Sequence, residues 1–365
     1  MIALCGLVAT ARADGDVEVR TVYYKERATR VEQPMIDAAL DAGEHGIITA
    51  HFLVDAITSA SASSGAINAT PFTEHRYEEG IGYQHDLGRV RVGADTKLST
   101  ESDYRSFFLG GHADADFFHK NTVVGIASGY SWDRADNAGA QSPMGGPLLA
   151  CHNELVAADS GCALHIFSFS ATATQLLSPN AVLGLAYDVQ SLHGFQANPY
   201  RTAIAGDAEV PERHPLDRLR QAFAASIRYY ITPTHTTVIG AYRYYRDDWA
   251  VHAHTPELRV VQEVGRLADA TLGFRYYSQD GAYFYRDHYS TNDRSVYPYV
   301  SDDVKLSTFT GETIEAKAGV LGEAFGLHGF WAGLRFEGVL QYVVQHNSFG
   351  NAVIAHAAVS IPFAY

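Results

Sequence analysis

No run of about 18 apolar residues occurs in this 365-residue chain, so no segment of it reads as a membrane-spanning helix. That absence leaves transmembrane strands open, because a strand announces itself by alternation and not by a continuous apolar run. Charge is scarce: Asp, Glu, Lys and Arg make up 19% of residues, below the quarter or so of ordinary soluble domains. Positive charge is scarcer still. The 27 Lys and Arg stand against 41 Asp and Glu, a net charge of −14, which argues against nucleic acid as a partner. Methionine and cysteine number three each. No phosphate-cradling glycine loop, dinucleotide fingerprint or haem motif occurs, so no cofactor is expected.

Glycine (32) and tyrosine (22) are plentiful instead. The first residues, MIALCGLVATARADG, hold a short apolar core from Ile2 to Ala9 and the small-x-small triplet Ala11-Arg12-Ala13. Residues 1–13 therefore read as a secretory signal peptide whose positively charged start is missing, and residues 14–365 as the mature domain. Cys5 lies inside the apolar core, behind the bulky Leu4. Two cysteines remain, Cys151 and Cys162, flanking the polar stretch HNELVAADSG. In an exported chain such a pair reads as a disulfide, because a metal site would need more ligands than His152 and the nearby acids.

Periodicity carries the fold. In GRVRVGADTKLS, Val90, Val92, Ala94, Thr96 and Leu98 share one face, and Arg89, Arg91, Gly93, Asp95 and Lys97 share the other. That period of two, held over about ten residues, describes a strand between two different solvents. DYRSFFLGGHADADFF repeats it, with Phe107, Leu109, Ala113, Ala115 and Phe117 opposing Ser106, Gly110, His112, Asp114 and Asp116. RQAFAASIRYYI, TLGFRYY, FWAGLRFEGVLQYV and the final NAVIAHAAVSIPFAY do the same. We expect about 16 such strands (14 to 18) of roughly 9–14 residues, which suits a tilted bilayer crossing better than the usual 5–6-residue globular strand.

The connections sort by length. Ala42 to Gly46, Leu87, His119–Lys120, Ser178–Pro179, Thr232 to His235, Gly265–Arg266 and Phe325 to Gly329 are short. The intervening set contains Ser59 to Glu74, Ala135 to Gly161, Ser191 to Asp217 and Ser278 to Asp303, all long. Short turns at one end and long loops at the other describe an all-β, up-and-down transmembrane barrel with periplasmic turns and extracellular loops. An even strand count closes the sheet and leaves no edge in hydrocarbon. The expected location is the bacterial outer membrane, with lipid as the solvent of the apolar faces and the barrel-assembly machinery as partner during insertion. The terminal Phe363-Ala364-Tyr365 resembles the recognition signal of such barrels.

The stretch YRYYRDDWAVHAH, Tyr242 to His254, fits that setting. Tyr242 and Tyr244 are expected to face lipid near the interface, Arg243 and Asp247 the lumen, with Trp249 and the two histidines where the strand emerges. The blocks YRYYRDDWAVHAHTPELRV and LGFRYYSQDGAYFYRD resemble those of a bacterial family, domain of unknown function 3570. VYYKE (Val22 to Glu26), FLVDAITSAS (Phe52 to Ser61), STESDYRS (Ser99 to Ser106) and FFHKNTVVGIASGYSWD (Phe117 to Asp133) add to the likeness. DAITSAS departs from an Asp-x-x-Thr-Gly-Ala-Ser-Pro-like run in that family. The resemblance implies an outer-membrane setting and supplies no activity, substrate or catalytic residue.

The candidate lumen residues are Arg89, Arg91, Asp95, Lys97, His112, Asp114, Asp116, Arg220, Arg228, Arg243, Arg275, Arg335 and Glu337. His112, Asp114 and Asp116 have metal-ligand chemistry, but residues two apart on a strand stand about 6–7 Å from each other, too far to share one small ion unaided. No metal site is expected. The arginines either draw anions inward or brace the wall against Glu78, Asp188, Glu315 and Glu337. No nucleophile elbow accompanies the serine, histidine and acid neighbours His51/Asp55, His165/Ser168 and Ser301-Asp302-Asp303, so no enzyme is expected. The tyrosine-rich Ser278 to Asp303 reads as an extracellular loop packed on the aromatic girdle, or one folded inward. A porin-like channel or export conduit for small polar solutes is the leading expectation. A non-conducting scaffold for a periplasmic or surface partner is the second, and a barrel-embedded hydrolase the third.

Overall fold

A computed structural model describes residues 14–27, 29–60, 71–101, 104–135, 162–197 and 202–363. Among them, sixteen strands close into one barrel. They are β1 (Gly15–Lys25), β2 (Thr29–Asp41), β3 (Gly46–Ala60), β4 (Pro71–Asp86), β5 (Val90–Thr100), β6 (Tyr104–Phe117), β7 (Thr122–Ala135), β8 (Ala163–Ser178) and β9 (Ala181–Gly194), followed by β12 to β18. These last are β12 (Asp217–Ile231), β13 (Thr236–Asp247), β14 (His252–Val264), β15 (Ala268–Gln279), β16 (Phe309–Leu321), β17 (Arg335–Gln345) and β18 (Ala352–Phe363). Two further strands, β10 (Thr202–Ala205) and β11 (Ala208–Pro211), form a separate hairpin between β9 and β12.

Each barrel strand pairs antiparallel with its neighbours, and β1 closes the sheet on β18 in the register Val19↔Val359. Closure leaves no unpaired strand edge, which a hydrocarbon environment requires. Gly15 pairs with Phe363, so the two ends of the barrel chain meet. They meet at the end that carries the connections 42–45, 87–89, 118–121, 179–180, 232–235, 265–267 and 322–334. The strand ends that flank the long connections 61–70, 136–162, 195–216 and 280–308 all lie at the other end.

The side chains explain why the sheet closes this way. One face of the strands is apolar and uncovered: Ile81, Ile126, Leu185, Ile227, Leu258, Leu272, Ile314 and Leu340 are all exposed, Leu272 at 68%. In water so large an apolar patch would be an association surface, and in a bilayer it is the solvent-matched face. The alternate residues point inward. Small inward residues let large ones lie flat: a Cβ on Gly129 would stand 2.3 Å from the Phe108 ring, and one on Gly93 2.3 Å from His112. The barrel interior is thus lined by polar groups and rings laid against glycine backbone.

One feature departs from the sequence expectation. Phe330 to Gly333 was expected inside a strand, but Gly329–Gly333 is a 3-10 helix and β17 begins at Arg335. The connection 322–334 folds back on itself, with Gly322 N donating to Leu334 O at 2.7 Å. A Cβ on Gly322 would stand 2.1 Å from Trp331 O, so only glycine permits that approach. Trp249 lies where β13 leaves the barrel, as expected, a few residues from the histidines. It is buried, at 2% exposure, in the turn between β13 and β14. His252 and His254 lie beside Tyr244, with ring centroids 6.5 and 5.2 Å away. The expected signal peptide (1–13), Cys5, Ser61 to Asn68, Cys151 of the expected disulfide, His152, Ala364 and Tyr365 lie outside the described residues. Cys162 is buried at 1% exposure.

Candidate functional site

The barrel interior is where the chain concentrates its charge. On β1 to β5 the inward groups form one relay. Arg20 donates to Asp37 at 3.2 Å, Asp37 meets His51 Nδ1 at 2.5 Å, His51 Nε2 lies 3.6 Å from Glu78, and Lys97 lies 3.8 Å from Glu78. Arg91 grips Asp116 with two bonds of 3.0 and 2.9 Å, a fork matched to a carboxylate. His112 Nε2 lies 3.3 Å from Gln84 Oε1, and Asp114 stands over Gly125. His112, Asp114 and Asp116 are therefore engaged separately and share no focus. Asp95 faces two interior recesses. Arg89 lies in the turn after β4, exposed, where its carbonyl accepts from Asp116 N at 2.8 Å.

A second network spans β14 to β17. Glu257 accepts from Arg275 at 2.7 Å and lies 3.1 Å from Arg259, which also reaches Glu315 at 3.2 Å. Gln341 donates to Glu315 at 2.5 Å. Arg335 pairs with Asp269 across Gly319, and Lys317 pairs with Glu337 at 2.7 Å. Glu78, Glu315 and Glu337 therefore bind charged partners other than the arginines expected for them.

Between the two networks runs a wall without such pairing. Arg220, Arg228 and Arg243, on β12 and β13, have no carboxylate partner among the described residues. Arg220 Nε is buried and unpartnered. Arg243 leans toward the Tyr245 ring at 5.6 Å. Small inward residues beside them, Ala222, Ala224 and Ala241, leave the space open as two recesses of about 470 and 490 Å³.

The long-loop end closes over part of this wall. Arg218, not anticipated from the sequence, binds Asp247 at 2.5 Å and lies over the Trp249 ring at 3.9 Å. Trp249, Val251, Ala282, Phe284 and Leu306 form a cluster against Tyr245. A second cluster joins the β10–β11 hairpin to the loop 280–308 through Ala203, Val210, Tyr289 and Val300. Arg213 and Val300 exchange backbone bonds of 2.9 Å. Burial pushes the Tyr289 phenol up and the Arg213 guanidinium down, as expected of a dry contact between two loops. The tyrosine-rich loop thus folds inward at this arc.

Two of the three serine and histidine neighbourhoods come apart in space, and the third is buried. His51 binds Asp37 while Asp55 binds Arg76 at 2.6 Å. His165 lies 6.1 Å from the Tyr130 ring, whereas Ser168 lines an interior recess. Ser301 is fully buried and donates to Glu212 at 2.5 Å. Its hydroxyl is held by a carboxylate, with the His214 ring 3.7 Å from that same Glu212.

A closed sixteen-stranded antiparallel barrel with an apolar outer belt and a polar interior defines an integral outer-membrane β-barrel protein. The chain belongs to the family described as protein of unknown function (DUF3570), whose model matches residues 66–321. Among solved structures it is similar to a bacterial polysaccharide outer membrane secretin, with TM-score 0.54, 7% identity, and 96% of this chain and 98% of that one covered. A BenF-like porin from Pseudomonas fluorescens (TM-score 0.49, 8% identity, 97% and 99% covered) and Pseudomonas aeruginosa OccD3 (0.48, 9%, 96% and 91%) are further likenesses. No curated protein matches the chain.

Proposed function

We propose that this barrel is a channel for small polar solutes across the outer membrane, in the import or the export direction. The observation that carries the reading is the open, polar wall between the two ion-pair networks. Large recesses lined by serine, threonine, alanine and arginine lie along β8, β9, β12 and β13. A barrel serving only as a brace has no use for unfilled volume beside unpaired charge. The similar structure described as a polysaccharide outer membrane secretin is the reason export is kept beside import.

Purified barrel refolded into planar bilayers tests the proposal. The expected result is discrete conductance steps with a stable open state. Folded barrel, shown by its heat-dependent gel mobility, that gives no steps at any voltage would remove the channel reading. In its place would stand a non-conducting scaffold, which the inward-folded loops over β12 to β15 favour. Recovery of one stoichiometric partner from gently solubilised membranes would be the mark of that second reading.

A further inference from the structure

We propose that the β12–β13 wall is a carboxylate-binding track and that its ligand is a small sugar acid. The proposal rests on the channel reading for its purpose, though binding itself needs no open pore.

The pairing pattern singles out the track. Elsewhere on the inward faces, cations meet acids: Arg20, Arg91, Lys97, Arg259, Arg275 and Arg335 all have a carboxylate within 4 Å. Such pairing neutralises a wall and braces it. Arg220, Arg228 and Arg243 break the pattern together, on adjacent strands. Arg243 is cross-strand from Ala224, so the three guanidinium-bearing positions step along the wall by four residues each time. At about 3.3 Å per residue that is roughly 13 Å per step, about 26 Å in all, comparable with the hydrocarbon thickness.

The surroundings specify the rest of the ligand. Ser168, Ser170 and Gln190 line the recess shared by Arg220 and Arg243, and Thr172, Ser226 and Thr255 line the next one, which Arg243 also faces. Hydroxyls and amides at that density recognise a polyhydroxylated molecule, because each donates and accepts. Asp95 and Asp188 border the first recess, so it is not a uniformly positive surface. An inorganic anion would gain nothing from those two acids, whereas sugar hydroxyls can donate to them. Arg220 lines that recess with no carboxylate within 4 Å of it among the described residues, and a solute carboxylate supplies one.

The test is titration calorimetry of galacturonate and of galactose into the folded, detergent-solubilised barrel at low salt, run beside the bilayer recordings. Galacturonate is expected to bind and galactose to bind at least about tenfold more weakly, since galactose lacks the carboxylate and its charge-assisted bonds, worth more than about 1.4 kcal/mol. The double variant Arg220→Gln/Arg243→Gln is expected to lose that preference, and Arg220→Lys/Arg243→Lys to retain part of it. Heat-dependent gel mobility shows that each variant is folded. Equal binding of the two sugars, no binding of either, or an unchanged preference in the double glutamine variant would overturn the track, leaving these arginines merely hydrated. Binding without conductance would keep the track and remove the channel. Conductance without binding would do the reverse.

Discussion

Asp247 shows how much one carboxylate holds at the mouth of the barrel. Its Oδ2 accepts from Arg218 Nε at 2.9 Å and from the Tyr245 hydroxyl at 2.7 Å, while Oδ1 accepts from Trp249 N at 3.0 Å and Val251 N at 2.9 Å. Its side chain is inaccessible to solvent, and that of Arg218 is only 10% exposed. A neutral side chain here would leave the guanidinium dry and without a countercharge. Asp247→Asn is therefore expected to cost about 3–5 kcal/mol and to lower the temperature at which the folded gel band disappears. An unchanged transition would mean that Arg218 finds another partner. Parity along the strand places Asp247 inward from sequence alone. It does not reveal Arg218 as its partner, because that pairing depends on how β12 and β13 lie beside each other and not on parity within either strand.

Strands tell the two solvents apart by one residue. On β15, Leu272 is 68% exposed and lies across from Val260 on β14 and Ala316 on β16, an apolar row on the outer surface. One residue on, Gly273 faces Arg259 and Glu315. Leu272→Arg puts a charge on the lipid side near mid-strand, where the expected cost is about 2–4 kcal/mol. The folded fraction in lipid vesicles should fall accordingly. An unaffected folded yield would contradict the assignment of that face to lipid. Alternation of this kind was legible in the sequence for most strands. The exception, Phe330 to Gly333, alternates well enough to pass for a strand, but Gly322 and the left-handed Gly326 and Gly329 fold the connection back before β17 starts. Glycine conformation is a backbone choice that a pattern of side chains does not record.

At the scale of the molecule, the inward-folded loops are held by a few buried aromatics. Tyr289 is 1% exposed, its hydroxyl donating to Phe284 O at 2.5 Å and accepting from Ser301 N at 2.7 Å. Tyr289→Ala is expected to loosen the contact between the β10–β11 hairpin and the loop 280–308 while leaving the barrel closed. Trypsin should then cut after Arg286 or Arg294 several times faster, with the folded barrel band retained. Unaltered cleavage would show that the loops are held by the Arg213–Val300 bridge instead.

The sequence by itself determined that this chain is a barrel, because a two-residue period over long strands and the gathering of the longest connections at one end have one physical solution in a bilayer. It determined which side chains within a strand share a face for the same reason: parity is local. Which inward charges meet was decided only by the tertiary structure. Arg275 and Arg335 are neutralised by Glu257 and Asp269, while Arg220, Arg228 and Arg243 are not. That difference arises from cross-strand register and from the small residues beside each guanidinium, and both come into being only when sixteen strands close on one another.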